Sequence, residues 1–133
     1  MSAPTIPSVA DLLRGALAEL RRPLNPVTGH GWTQGKYGTG NDCKCADGAI
    51  IQAVLDGLRA GRPTQMADVI DDLRLQLAKV ISDVQGWEAP GREVRGLRLA
   101  KLIHHWNDNR ERVFPEVEAV FERAIELAEA GTR

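Results

Sequence analysis

Apolar residues recur at helical spacing in five stretches of the 133-residue chain, and no stretch alternates with period two for long enough to make a core strand. In the first, Val9, Leu12, Leu13, Ala16 and Leu20 share one face. Ser8 precedes them with Asp11 three residues on, an N-cap and an acidic partner for the orphan amides of a first turn. Pro23 closes the segment. From Arg22 to Lys44 the period vanishes, and Gly29, Gly31, Gly35, Gly38 and Gly40 punctuate the chain with two prolines. This predicts a long Gly-rich loop over 22–44, which is either functional or conceals a short hairpin.

A second helix is predicted from about Asp42 to Ala60, burying Ala49, Ile50, Ala53, Val54 and Leu58 and stopping at Gly61. Thr64 reads as the cap of a third, running to about Val84 with the stripe Met66, Val69, Ile70, Leu73, Leu77, Val80, Ile81 and Val84. Gly86 suits the position after its end, and 88–91 reads as a turn. A fourth helix, about Arg92 to Trp106, carries Leu99, Leu102, Ile103 and Trp106 on one face. Phe114 and Pro115 read as the residues flanking the start of a fifth, which buries Val117, Val120, Phe121, Ala124 and Ala128. The predicted fold is all-α: one domain over 1–133, of four or five helices, with 1–7 and 131–133 as loose ends.

Composition narrows the function. Hydrophobic residues are 43% and charged residues 26%, close to globular averages, which argues against wholesale disorder. Seventeen basic residues against eighteen acidic leave a net charge of −1, excluding a strongly cationic, histone-like binder. No apolar run approaches a membrane span, so no membrane partner is expected. The start lacks a basic region followed by an apolar stretch, so no secretory signal is expected. Two cysteines make no disulfide framework, which suits a reducing compartment. Arg92, Arg95, Arg98 and Lys101 recur at steps of three on helix four, a basic stripe that either is solvated or binds a partner. Helix five opposes it with Glu116, Glu118, Glu122, Glu126 and Glu129. No aromatics interleave with the stripe to stack bases, so a protein partner is expected rather than nucleic acid.

Two places concentrate reactive side chains: 31–35 with 43–50, and 104–108. Cys45 falls in the first turn of helix two, where the dipole and unpaired amides favour a thiolate. His104 or His105 is a candidate base, Asn107 or Asp108 a candidate orienter of that base, and Gln34 a candidate oxyanion donor, in the manner of cysteine hydrolases and transferases. A buried cysteine packed as a small hydrophobe is the commoner arrangement, and Cys45 is expected to be one. Cys43, Cys45, His104 and His105 supply the number of ligands that tetrahedral zinc needs. Cys-x-Cys and adjacent histidines are poor chelating spacings, however, so no metal and no cofactor is assigned.

The third reading is structural. Trp32, Trp87 and Trp106 are large apolar anchors whose indole nitrogens need acceptors. Asn107 and Asp108 can cap helix four, Gly48 lets another backbone approach helix two, and the loop packs over the join. Trp32, Gln34, Cys45, Gly48, Trp106, Asn107 and Asp108 are then one structural motif that meets in space. Trp106 is expected to be buried, with Asn107 or Asp108 bonded to backbone in 31–44 or at the start of helix two.

The same residues carry a resemblance. Gly31-Trp-Thr-Gln-Gly35, Cys45-Ala-Asp-Gly-Ala-Ile50, Ile103-His-His-Trp-Asn-Asp108, Glu116-Val117 and Ala124-Ile125, over roughly 31–128, resemble a family of short actinobacterial and phage proteins of unknown function. Its pattern is Gly-Trp-x-Gln-Gly, Cys-x-x-Gly-Ala and Trp-Asn-Asp, and some members also carry the cysteine matched by Cys43. The family tends to continue with Gly-Arg-Thr, where this chain has Asn109 to Pro115, so helix five must start differently here. The resemblance implies no activity. It implies a cytoplasmic location, the host's if phage-encoded, and a host-directed interaction. The residues themselves, with no phosphate-loop, nucleotide-fingerprint or spaced zinc motif and with opposed basic and acidic faces, point to a small interaction or regulatory protein rather than a stand-alone catalyst.

Overall fold

A computed structural model describes residues 7–58 and 63–131, with Pro63 and Thr64 described for their backbone alone. Among these residues the chain forms five helices and no strand: α1 (Val9–Leu20), α2 (Ala46–Gly57), α3 (Pro63–Gln85), α4 (Leu97–Asn107) and α5 (Phe114–Gly131). The expected stop at Gly61 lies outside the described residues, as do the expected loose ends apart from Pro7 and Gly131. Gly131 ends α5 rather than lying beyond it.

Helix α1 packs between α2 and α5, while α3 lies against α2, α4 and α5. All five share one core. Leu13, Ala16 and Leu20 of α1 meet Ile50 and Val54 of α2, Leu73, Leu77 and Ile81 of α3, Ile103 and Trp106 of α4, and Val117 and Phe121 of α5. Each fully buried Leu or Ile contributes about 1.5–3 kcal/mol, so the apolar stripes of the sequence account for the association. A small second cluster of Leu75, Ala78 and Leu99 seals α3 to α4.

The start of α1 is as the sequence predicts, with Ser8 Oγ accepting from the Asp11 amide at 3.0 Å. Other boundaries differ for local reasons. Cys45 is extended (φ −76°, ψ 172°) and is itself the N-cap of α2, so the helix begins at Ala46 rather than Asp42. Thr64 lies inside α3, not before it. Gly96 has φ 62° and its amide donates to Asp71 Oδ1 at 3.0 Å, so α4 starts only at Leu97. Arg92 and Arg95 therefore precede the helix, and the predicted basic stripe is no helical face. Arg95 lies against Asp71 and Asp72 instead. Val84, at the last turn of α3, is exposed, and Ala128 is half-buried. The acidic face of α5 turns toward α1, where Arg21 pairs with Glu118 and Glu122 and Arg14 with Glu129.

Between α1 and α2 the chain makes turns and one isolated parallel bridge between Trp32 and Lys44. Lys44, 1% exposed, fastens this segment to the end of α1. Its Nζ donates to Glu19 Oε1 (2.7 Å), Gly40 O (2.6 Å) and Asp42 O (2.9 Å). Arg22 adds bonds to Glu19 and Asn41. A buried ammonium is tolerable only with such partners.

Candidate functional site

Asn107, the last residue of α4, is fully buried and stands where the three sequence motifs meet. Its Oδ1 accepts from the Trp32 indole Nε1 (2.8 Å) and from the Ala46 amide (3.0 Å), the first orphan donor of α2. Its Nδ2 donates to Thr33 O (3.2 Å) and to Asp108 Oδ1 (2.9 Å). That oxygen also accepts from the Gly35 amide at 2.9 Å. Gln34 Nε2 donates to the carbonyls of Asn107 (2.9 Å) and Asn109 (2.6 Å). One amide side chain thus ties the end of α4 to the start of α2 and to the segment after α1.

The neighbours lock the same junction. Trp106 is buried, and the Arg112 guanidinium lies over its ring at 4.5 Å while Arg112 Nε donates to its carbonyl at 3.0 Å. The Trp106 Nε1, expected to find an acceptor, has no hydrogen-bond partner among the described residues. Trp32 stacks on Phe114 at 6.3 Å, whereas Trp87 is an exposed ring beside His105 rather than a core anchor. At Gly48 an added Cβ would stand 2.0 Å from the Tyr37 carbonyl oxygen, so only glycine admits that backbone against α2.

Beside the junction lies a cavity of about 90 Å³ lined by Gly35, Lys36, Tyr37, Cys45, His104 and Asp108. Cys45 is 4% exposed, and its Sγ accepts from the Gly48 amide at 3.3 Å. Burial pushes the thiol up to about 11 against the pull of that amide, and the Asp47 and Asp108 carboxylates push the same way. At neutral pH Cys45 is a thiol. His104 is half-buried, with its ring at 4.9 Å from Tyr37 in an edge contact and its Nε2 3.3 Å from Asp47 Oδ2.

Asp47 is the functional-looking residue that sequence reasoning missed. It is fully buried and accepts two bonds of 2.8 Å from Arg74, Nε to Oδ1 and Nη2 to Oδ2. It therefore joins α2, α3 and α4. An acidic residue in a first helical turn ordinarily reads as a solvated complement to the dipole. Its setting among Ala46, Gly48 and Ala49, with no polar neighbour, was the available signal.

Of the candidate catalytic set, the structure brings Cys45, His104 and Asp108 to one cavity. Gln34 and Asn107 are occupied with backbone and indole partners, and it is Asp47, not Asn107 or Asp108, that holds an imidazole. His105 faces Trp87, and Cys43 lines a separate hollow with Asp42 and Thr39. The four zinc candidates therefore do not gather, and no group of three or more metal-ligating side chains occurs among the described residues.

Fold and junction define a small five-helix domain pinned by a tryptophan–asparagine–cysteine-cap constellation. The chain matches the family of unknown function DUF6197 over residues 4–127, and it belongs to that family. No curated protein and no solved structure matches it. Among the described residues no helix is long and apolar enough to cross a membrane.

Proposed function

We propose that this chain is a small cytoplasmic interaction or regulatory protein, of actinobacterial or phage context, whose motif residues serve its architecture. The observation that carries this reading is the occupation of Asn107: both side-chain atoms are spent inside the fold, and Gln34 and Asp108 serve the same junction. Side chains committed in this way are not free to contact a substrate, and the rigidity they give the fold lowers the ordering cost of binding a partner. Arg98 and Lys101, exposed on α4, are the remaining part of the basic stripe that a protein partner would meet. Affinity capture from the cell of origin with the wild-type chain and with Arg98→Glu/Lys101→Glu tests this. A partner held by the first and lost from the second supports it. Undiminished capture by the folded variant removes the surface from the account.

The second reading, a cysteine-dependent hydrolase or transferase, is favoured by one observation. Cys45 and His104 line a single cavity, with a buried carboxylate behind the imidazole.

A further inference from the structure

Among the described residues, the S–H of Cys45 and the second ring nitrogen of His104 have no hydrogen-bond partner beside the cavity, and Lys36 shares its lining. Asp47 holds Arg74 through both oxygens and is an acceptor. The hydrogen of a neutral His104 ring therefore sits on Nε2, toward Asp47, and Nδ1 keeps its lone pair. A carboxylate that fixes the tautomer of an imidazole, with a neutral nucleophile nearby, is the logic of base-assisted acyl transfer.

We propose that Cys45, His104 and Asp47 form an acyl-accepting site for a small activated acyl group carried as an ester or thioester. Cys45 is the nucleophile, His104 Nδ1 its base, and Asp47 a positioning residue. This rests on the cysteine-dependent reading above and replaces Asn107 and Asp108 with Asp47 as the orienter. In the step, the thiol proton passes to Nδ1 as Sγ bonds the acyl carbon. The bond from that carbon to the leaving oxygen or sulfur then breaks, and the leaving atom takes the proton from His104.

Three features of the site set its chemistry. A thiol pushed up to about 11 is neutral at pH 7 and needs such a base. The Gly48 amide at Sγ belongs to the positive end of α2, beside the atom next to which the oxyanion forms. The cavity of about 90 Å³ equals roughly three waters at ~30 Å³ each, which admits an acetyl-sized group and leaves a larger leaving group outside. No hydrogen bond joins Sγ and the ring in this state, and nucleophile–base contacts of this kind tighten on substrate entry.

The test treats the full chain with p-nitrophenyl acetate, following nitrophenolate by absorbance and the acetylated residue by peptide mass spectrometry. The expected result is a burst with acetyl on Cys45 that persists in Cys43→Ala and disappears in Cys45→Ala. In His104→Gln, verified as folded, acetylation of Cys45 slows about 100-fold. A folded Asp47→Asn chain shifts the pH profile of the reaction, which a purely structural role would leave in place. Should that variant unfold, nitrogen chemical shifts of His104 in the wild-type chain serve instead, with the proton expected on Nε2. No acetylation, or acetylation of Cys43 alone, overturns the cysteine-dependent reading itself. Acetylation of Cys45 at full rate in His104→Gln, an unshifted profile, or a proton on Nδ1 overturns this inference and leaves that reading standing.

Discussion

The indole Nε1 of Trp32 donates to Asn107 Oδ1 at 2.8 Å, joining positions 75 residues apart in the chain. The same oxygen takes the first amide of α2, so one acceptor fixes the segment after α1, the start of α2 and the end of α4 relative to one another. Truncation of this side chain leaves an indole N–H and a buried helix amide without partners.

Asn107→Ala is accordingly expected to cost about 3–4 kcal/mol, two unsatisfied donors at ~1–3 kcal/mol each less some relaxation. Denaturant unfolding checks this. A loss within about 0.5 kcal/mol, the range of an ordinary surface substitution, would remove Asn107 from the centre of the account.

Gly48→Ala is expected to destabilise by about 3 kcal/mol, at the upper end of overpacking, because the obstructing atom is the Tyr37 carbonyl rather than a movable side chain. Thermal or chemical unfolding of the purified variant measures it. A neutral result would mean that the backbone at Tyr37 is not held against α2.

The Glu19–Lys44 pair makes stability depend on acid. Burial pushes the Glu19 carboxyl upward, but its hydrogen bonds and charge contacts with Lys44 and Arg22 prevail, and its pKa is lowered on folding. A carboxylate lowered on folding contributes stability above its unfolded pKa, and that contribution is lost as pH falls through the folded value. Unfolding free energy should therefore drop as pH is taken below the usual glutamate range, and Glu19→Gln should flatten that part of the drop while costing about 3 kcal/mol at pH 7, the low end for breaking a buried pair because the amide oxygen still accepts. An unchanged slope in Glu19→Gln would contradict the assignment.

Much of the helical layout is legible from sequence because it depends on local pattern. The Ser8 cap, the α3 stripe from Leu73 to Ile81 and the buried faces of α4 and α5 all follow from spacing. Departures arise where distant chain decides. The start of α4 depends on Asp71 taking the Gly96 amide, which moves Arg92 and Arg95 off the helix. Nothing local in the sequence marks Asp47 or Lys44 for burial, which requires Arg74, His104 and Glu19, 25–57 residues away. In the junction the participating residues are legible as motifs, whereas the bond from Trp32 to Asn107 is not, since neither position carries a local signal of its partner.

The two cysteines should separate by reagent size. Cys43 is partly exposed, while Cys45 is buried with its thiol pushed up to about 11. A bulky aromatic disulfide reagent at pH 8 is expected to modify Cys43 and leave Cys45 intact until denaturant is added. Rapid modification of Cys45 in the native protein would show that the cap of α2 opens freely.

A double-mutant cycle of Trp32→Phe and Asn107→Ala, read by denaturant unfolding, tests the junction most directly. Trp32→Phe keeps an aromatic ring against Phe114 and removes the indole N–H, so the cycle isolates the bond between the two motifs. A coupling of about 1–2 kcal/mol is the predicted result, within the range for residues that share one hydrogen-bond network. Additive losses, with a coupling below about 0.3 kcal/mol, would contradict the claim that this bond holds the motifs together.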